Sequence, residues 1–172
     1  MYESLIRTAN ARVQNQITVA ITRATEFLKD HVRYALGGKG LLGLDCSGLV
    51  TQCFPRVLPD GVEKQVEALG IWVFRAEDIC LAEPGDLVFL ASKHRTDTVS
   101  HVAVVERVSF SPNNTYLLHA SEKESQMTRD VWNRDGDEFK GEYIVTGLGK
   151  MQPFLFRAFL RDEIKRGLSN VG

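Results

Sequence analysis

The sequence predicts an α+β domain in which helices come first and a mainly antiparallel sheet follows. Apolar residues recur at steps of three and four in residues 3–33, which is the spacing of a helix face. The second half instead carries short apolar runs bounded by turn residues, a pattern typical of strands. With 44% hydrophobic and 25% charged residues, the chain has ordinary globular composition, which excludes gross disorder and a collagen-like structure.

The first predicted element is an N-terminal helical arm, residues 1–33. Its apolar positions fall on one face of a helix: Leu5, Ala9, Val13, Ile17, Ala20, Ile21, Ala24, Phe27 and Leu28. The polar cluster at Asn10 and 14–16 could divide the arm into two helices. Glycines at 37, 38 and 40 then predict a flexible loop, because glycine tolerates backbone angles that other residues avoid.

A second, shorter helix is predicted to begin directly after Asp45. Aspartate is a favoured N-cap residue, the apolar residues of 49–54 form one stripe, and Pro55 ends the helix. This arrangement puts Cys46 in the first helical turn.

The remaining elements are predicted strands. Residues 83–86 form a turn signal before the first of them, and the strands are predicted at Leu87–Leu90, His101–Glu106, Tyr116–His119, Tyr143–Thr146 and Phe154–Leu160. Since no linker, repeat or low-complexity tract divides the chain, we expect a single domain. It comprises the arm at 1–33, a motif-bearing core at 34–121 and C-terminal strands at 122–172.

Charge and hydropathy limit the partners that the sequence predicts. The 21 basic and 22 acidic side chains leave a net charge of -1, which gives no electrostatic reason to expect nucleic acid or an anionic membrane. No apolar run approaches the roughly 20 residues needed to span a bilayer. Polar residues interrupt the N-terminus where a signal peptide would have its apolar core, so we expect synthesis in the cytoplasm without a general secretion signal.

Three cysteines are an odd number and too few for a disulfide framework, so we expect reduced thiols. Cys53 and Cys80 are interpreted as core residues. For Cys46 two interpretations compete: a small buried side chain, or a nucleophile whose thiolate is favoured by the positive end of the helix.

His101 opens a strand after a polar loop, and His119 ends a later strand. A cysteine hydrolase needs a base beside the thiol and a polar group that holds the base. Cys46, His101 and His119 could fill these three places, or both histidines could be satisfied polar residues at strand ends. Histidine and cysteine show no short paired spacing typical of zinc sites, so no metal or cofactor is predicted.

Residues 131–137 have the outline of a calcium loop. Its first ligand position would be Val131, which has no side-chain oxygen. The sequence therefore favours an Asp-Gly turn between two strands.

Several segments in order resemble the signature of the NlpC-type cysteine peptidases: Tyr34–Gly38, Leu44–Val50, Pro84–Phe89, Ser100–Val105 and Leu118–Ala120. The resemblance covers about residues 30 to 121. It implies a papain-like core with the nucleophile at a helix N-terminus. By position, Cys46 would be the nucleophile, His101 the general base and acid, and His119 the residue that orients His101.

The same resemblance implies oxyanion and substrate-binding residues: Tyr34, Asp45, Ser47 and Ser100. For Asp45, helix capping is at least as good an account. The chain departs from the family at Leu36, where a large residue such as Trp is usual. Gln65 is all that matches the family's Arg-Ser/Thr-rich stretch ending in Gln.

The family implies hydrolysis of an amide bond in the peptide stem of bacterial peptidoglycan, near the D-glutamyl–diaminopimelate bond, through an acyl-enzyme on Cys46. The enzyme would act in the cytoplasm or reach the wall by a secretion machine or a phage particle, and an immunity protein would then be a further partner. Residues 131–134 also resemble amidase effectors of type VI secretion systems. The alternatives are a cytoplasmic amidase or acyltransferase of the same superfamily, and a decayed interaction module, against which the intact Cys-His-His set argues.

Overall fold

The computed structural model describes residues 2–169, without the side chains at positions 71, 76, 77 and 79. Its helices are α1 (Tyr2–Lys29), α2 (Cys46–Cys53), α3 (Val62–Leu69) and α4 (Met151–Ser169), with 3-10 turns at Gly70–Trp72 and Ala76–Leu81. Its strands are β1 (Lys39–Gly40), β2 (Gly43–Leu44), β3 (Val73–Arg75), β4 (Leu87–Ser92), β5 (Arg95–Val108), β6 (Asn114–Ser121), β7 (Gln126–Asn133), β8 (Glu138–Phe139) and β9 (Tyr143–Gly149). Residues 1 and 170–172 of the predicted domain lie outside the described residues.

Within residues 2–169 the main sheet has seven strands in the order β3-β9-β4-β5-β6-β7, with β8 paired to β9. Every pairing in it is antiparallel. β1 and β2 form a separate small hairpin. The predicted α+β class with a mainly antiparallel sheet is therefore confirmed.

The N-terminal helix is continuous and ends at Lys29, so the predicted division near Asn10 does not occur. Its buried face consists of Ala9, Val13, Ile17, Ala20, Ala24 and Phe27. These residues belong to the main hydrophobic cluster, which also contains α2 and one face of the sheet. The helix packs against the core along this face, and burial of the apolar stripe stabilises it as one continuous helix.

The strand predicted at Phe154–Leu160 is wrong, because this segment lies inside α4. Short apolar runs fit a buried strand and a buried helix equally well. Met151, Leu155 and Phe159 are buried at steps of four and belong to the main cluster. Arg12 of α1 fixes the pairing of the two helices, since its guanidinium lies 2.6 Å from Glu163 and 4.2 Å from the Phe159 ring centre. The C-terminal region at 122–172 is therefore strands followed by a long helix.

The two faces of the sheet carry separate clusters. Leu87, Phe89, Val102, Val104 and Leu118 face the helices. Alternate residues on the other face form a smaller cluster with Trp132 and Phe139. None of the helices in the described part of the chain is both long and apolar enough to cross a membrane.

Candidate active site

The cap of α2 organises the loop in front of the site. Asp45 accepts hydrogen bonds from the backbone N–H of Gly48 at 2.6 Å and from the Ser47 hydroxyl at 3.0 Å. Its other oxygen accepts the Gly37 N–H at 2.8 Å, which ties the glycine loop to the helix. The predicted N-cap is confirmed, and one carboxylate thereby fixes both the start of α2 and the segment that carries Tyr34.

Cys46 is the first residue of α2 and its side chain is buried. Burial raises the pKa of the thiol to about 11, although the backbone N–H groups of Val102, Ser47 and Cys46 itself favour the thiolate. Desolvation is the largest influence on this thiol and opposes the helix end, which favours the thiolate. The Val102 contact also places the sulfur against β5, at the residue that follows His101 in the chain.

The two predicted histidines meet across neighbouring strands. The ladder between β5 and β6 ends at the pair Val104 and Leu118. His101 and His119 lie just past this pair, each on its own strand. His101 Nε2 and His119 Nδ1 are 2.8 Å apart, and both rings are buried. The contact uses Nε2 of His101 and leaves Nδ1 as its remaining ring nitrogen.

The environment of His101 favours a neutral ring. Burial, followed by the charges of His119 and Lys140, lowers its pKa to about 3. Tyr143 stacks on the ring with a centroid distance of 5.2 Å and an interplanar angle of 22°. Phe139 meets His119 edge-on at 5.6 Å. Both aromatic residues come from the β8–β9 hairpin, which thus covers the histidine pair.

Sequence reasoning missed Asp130 and Lys140. Asp130 Oδ2 lies 2.8 Å from His119 Nε2 and 2.9 Å from Lys140 Nζ. Burial alone would raise the Asp130 pKa, but the hydrogen bonds from His119 and Lys140 hold it below its ordinary value. In the β6–β7 register His119 faces Thr128. Asp130 lies two residues beyond this partner, on the same face, so a correct register prediction would have found it.

The predicted oxyanion and substrate-binding residues differ in burial and in the residues they contact. Burial, followed by the influence of Glu122 and of Cys46, raises the pKa of Tyr34. Ser47 is buried, and its hydroxyl donates to Asp45 and faces Asp60. Ser100 is exposed, at the register shift between β4 and β5. Asp45 and Ser47 therefore flank Cys46 in the chain, and Tyr34 approaches it from another segment.

Other predicted residues take structural or surface positions. Gln65 is buried and donates to the Ser47 carbonyl at 3.0 Å, which joins α3 to α2. Leu36 is exposed. Cys53 is buried as predicted, whereas Cys80 is exposed because the 3-10 turn at Ala76–Leu81 carries it to the surface. The 131–137 segment contains the end of β7 and a turn before β8, as predicted.

Across residues 2–169, no group of three His, Cys, Asp or Glu side chains could hold a metal ion. The site instead contains a buried histidine pair under an aromatic cover, and the buried thiol of Cys46 contacts the backbone of β5. The antiparallel sheet with helices packed on it matches the predicted papain-like fold class. A family model described as "NlpC/P60 family" matches residues 31–137, more than half of the chain. The chain belongs to the NlpC/P60 family.

Solved structures show the same fold. The NlpC/p60 domain of the peptidoglycan hydrolase SagA is similar with a TM-score of 0.53 at 19% identity, covering 78% of this chain and 98% of that one. NlpC1 and NlpC2 from Trichomonas vaginalis give TM-scores of 0.58 and 0.57 at 20% and 18% identity. Each match covers 77% of this chain, and 42% and 46% of those longer chains respectively.

No curated protein matches the sequence significantly. The family and the fold support a cell-wall amidase or peptidase as the general class. The weaker resemblance to type VI secretion amidases stays a prediction.

Proposed function

We propose that the protein is a cysteine peptidase or amidase that hydrolyses an amide bond in the peptide stem of bacterial peptidoglycan through an acyl-enzyme on Cys46. The observation that carries the proposal is that the Cys46 sulfur contacts the backbone of Val102, the residue after His101, and that the His101 ring lies 2.8 Å from His119. These are the three parts that acyl transfer by a thiol needs.

The raised pKa of Cys46 and the lowered pKa of His101 favour a neutral thiol and a neutral imidazole at rest. His101 Nδ1 would then take the thiol proton as the sulfur attacks the amide carbonyl. The protonated ring returns this proton to the leaving amine when the tetrahedral intermediate collapses to a thioester. His101 next removes a proton from water, which attacks the thioester and releases the acid and the free thiol.

Backbone N–H groups at the start of α2 would stabilise the oxyanion, since they point toward the Cys46 sulfur. Tyr34, whose pKa Cys46 influences, would donate its hydroxyl to the same oxyanion. Asp45 and Ser47 would act mainly by holding this helix start, and Ser100 would contact substrate at the exposed rim. The bond proposed for cleavage is the one near D-glutamyl–diaminopimelate, with the stem peptide as substrate and delivery by secretion machinery, phage particle or lysis.

A second candidate function is hydrolysis or transfer of a non-wall acyl group. Leu36, Leu41 and Leu42 are 88%, 73% and 99% exposed in the loops that flank Tyr34 and Asp45. Such an apolar surface beside the site fits an apolar substrate group better than a glycan strand.

Mass spectrometry of purified peptidoglycan fragments incubated with the protein tests the proposal. We expect new stem-peptide products from the wild type and none from Cys46→Ala, with little change in melting temperature. Cys80→Ala is the matched control, because it removes an exposed thiol elsewhere and should keep full activity. Products from Cys46→Ala would refute the nucleophile. Intact fragments with the wild type would direct the search to acyl substrates outside the wall.

A further inference from the structure

The histidine pair does not end at His119. Its Nε2 lies 2.8 Å from Asp130, and Asp130 in turn lies 2.9 Å from Lys140 Nζ. Lys140 also approaches Glu124 at 3.5 Å. The polar contacts therefore run from His101 through His119 to the carboxylate of Asp130. Lys140, on the next hairpin, anchors this carboxylate.

This chain of contacts dictates where the protons lie. An ionised carboxylate only accepts hydrogen bonds, so His119 must carry its proton on Nε2. While the His119 ring is neutral, its Nδ1 is an acceptor, and His101 then donates to it from Nε2. The neutral His101 ring is consequently unprotonated at Nδ1, the nitrogen that the proposed mechanism requires as base.

We propose that Asp130, anchored by Lys140, is a positioning residue that fixes the tautomers of both histidines and so keeps Nδ1 of His101 free to accept the Cys46 proton. This inference deepens the proposed function and rests on it. Asp130 does not reach the reacting atoms and acts through His119.

The hairpin that anchors Asp130 has the features of a site element. The family match ends at residue 137, so Phe139, Lys140 and Tyr143 lie beyond it. In this hairpin Tyr143 stacks on His101, Phe139 meets His119, and Lys140 binds Asp130. Lys140 adopts a positive φ of 54°, which residues with side chains seldom do. Strain of this kind persists where the surroundings impose it.

The direct test is nitrogen-15 NMR of the imidazole rings in the wild type near neutral pH. We expect the Nε2–H tautomer for both His101 and His119. A proton on Nδ1 of either ring would overturn the proposal, and this result needs neither a variant nor a substrate.

The isosteric variant Asp130→Asn can donate from its amide where the carboxylate only accepts. We expect the histidines to shift toward the Nδ1–H tautomers, with kcat falling roughly 100-fold or more and KM changing less than about threefold. Lys140→Met should reduce kcat by about threefold to tenfold, because the carboxylate stays but loses its anchor. Asp130→Glu should restore the Nε2–H tautomers and part of the activity.

Glu106→Gln is the matched control, since this carboxylate binds Arg129 next to Asp130 without touching the histidines. It should keep wild-type tautomers and kcat. If Asp130→Asn kept both, the proposal would fail while the peptidase function stood. If the wild type cleaved no peptidoglycan but showed the expected tautomers, the function would fail and the role of Asp130 in setting the rings would stand.

Discussion

Two aspartate–lysine pairs occupy different regions of this molecule and obey different electrostatics. Asp130 and Lys140 lie at the rim of the histidine pair, with each side chain 21% exposed. Asp86 and Lys150 lie at the base of α4, where the Asp86 side chain is fully buried. The pKa of Asp130 is below its ordinary value, whereas burial raises the pKa of Asp86 to about 6 despite the hydrogen bond from Lys150. The same pairing thus gives opposite shifts because desolvation grows with burial.

The two regions also differ in what the carboxylate holds. Asp86 accepts the Met151 N–H at 3.0 Å and the Glu83 N–H at 2.9 Å, so it joins the turn before β4 to the start of α4. Asp130 receives a histidine ring and a lysine. The buried carboxylate of Asp86 therefore joins two parts of the fold. The partly exposed carboxylate of Asp130 stays ionised beside the candidate active site.

Removing each lysine in turn should give the largest difference in stability between the two regions. Lys150→Met leaves a fully buried carboxylate without its cation, and we expect it to lower the free energy of unfolding by about 3–5 kcal/mol near pH 7. Lys140→Met is the matched control and should lower it by about 1 kcal/mol or less, since its pair is partly exposed. Urea denaturation of the two variants measures both values. Equal losses would contradict the comparison.

The pH dependence of stability should carry a signature of Asp86. Its folded pKa of about 6 exceeds the ordinary 3.8, so the folded state binds the extra proton between these values. The stabilisation that comes from protonated Asp86 is complete below about pH 4. It is lost as pH rises through 6, and the loss amounts to about 3 kcal/mol by pH 7.

His101 opposes this trend, because its folded pKa of about 3 adds stability as pH rises. The measurement is therefore the difference in unfolding free energy between the wild type and Asp86→Asn at several pH values. That difference should decline between pH 4 and 7. A difference independent of pH would show that Asp86 ionises normally.

Thiol reactivity distinguishes a neutral cysteine–histidine pair from a preformed ion pair. With the Cys46 pKa at about 11, alkylation by iodoacetamide should rise about tenfold per pH unit, or roughly hundredfold between pH 7 and 9. Peptide-level mass spectrometry reports Cys46 separately from the exposed Cys80. A flat profile would mean that the helix start overcomes burial and that the resting state is thiolate and imidazolium.

The sequence was sufficient where the signal is local. Asp45, Cys46 and Pro55 define a capped helix with the thiol in its first turn, because capping and helix termination depend on neighbours in the chain. Short apolar runs beside His101 and His119 predicted two strands for the same reason. The family motifs then gave the order of the candidate site residues.

Tertiary structure decided the rest, because those features depend on which distant segments share a surface. The apolar run at Phe154–Leu160 became a helix because α1 offers a helical face to pack on. Burial raises the pKa of Cys46, and the neighbouring residues in the sequence do not show how deeply the fold buries a side chain. The contact of His119 with Asp130 depends on strand register, and that with Lys140 on a hairpin folding back over the sheet. Local sequence thus determined most of the elements and the candidate nucleophile, while long-range packing determined the environments of the titratable groups and the partners of His119.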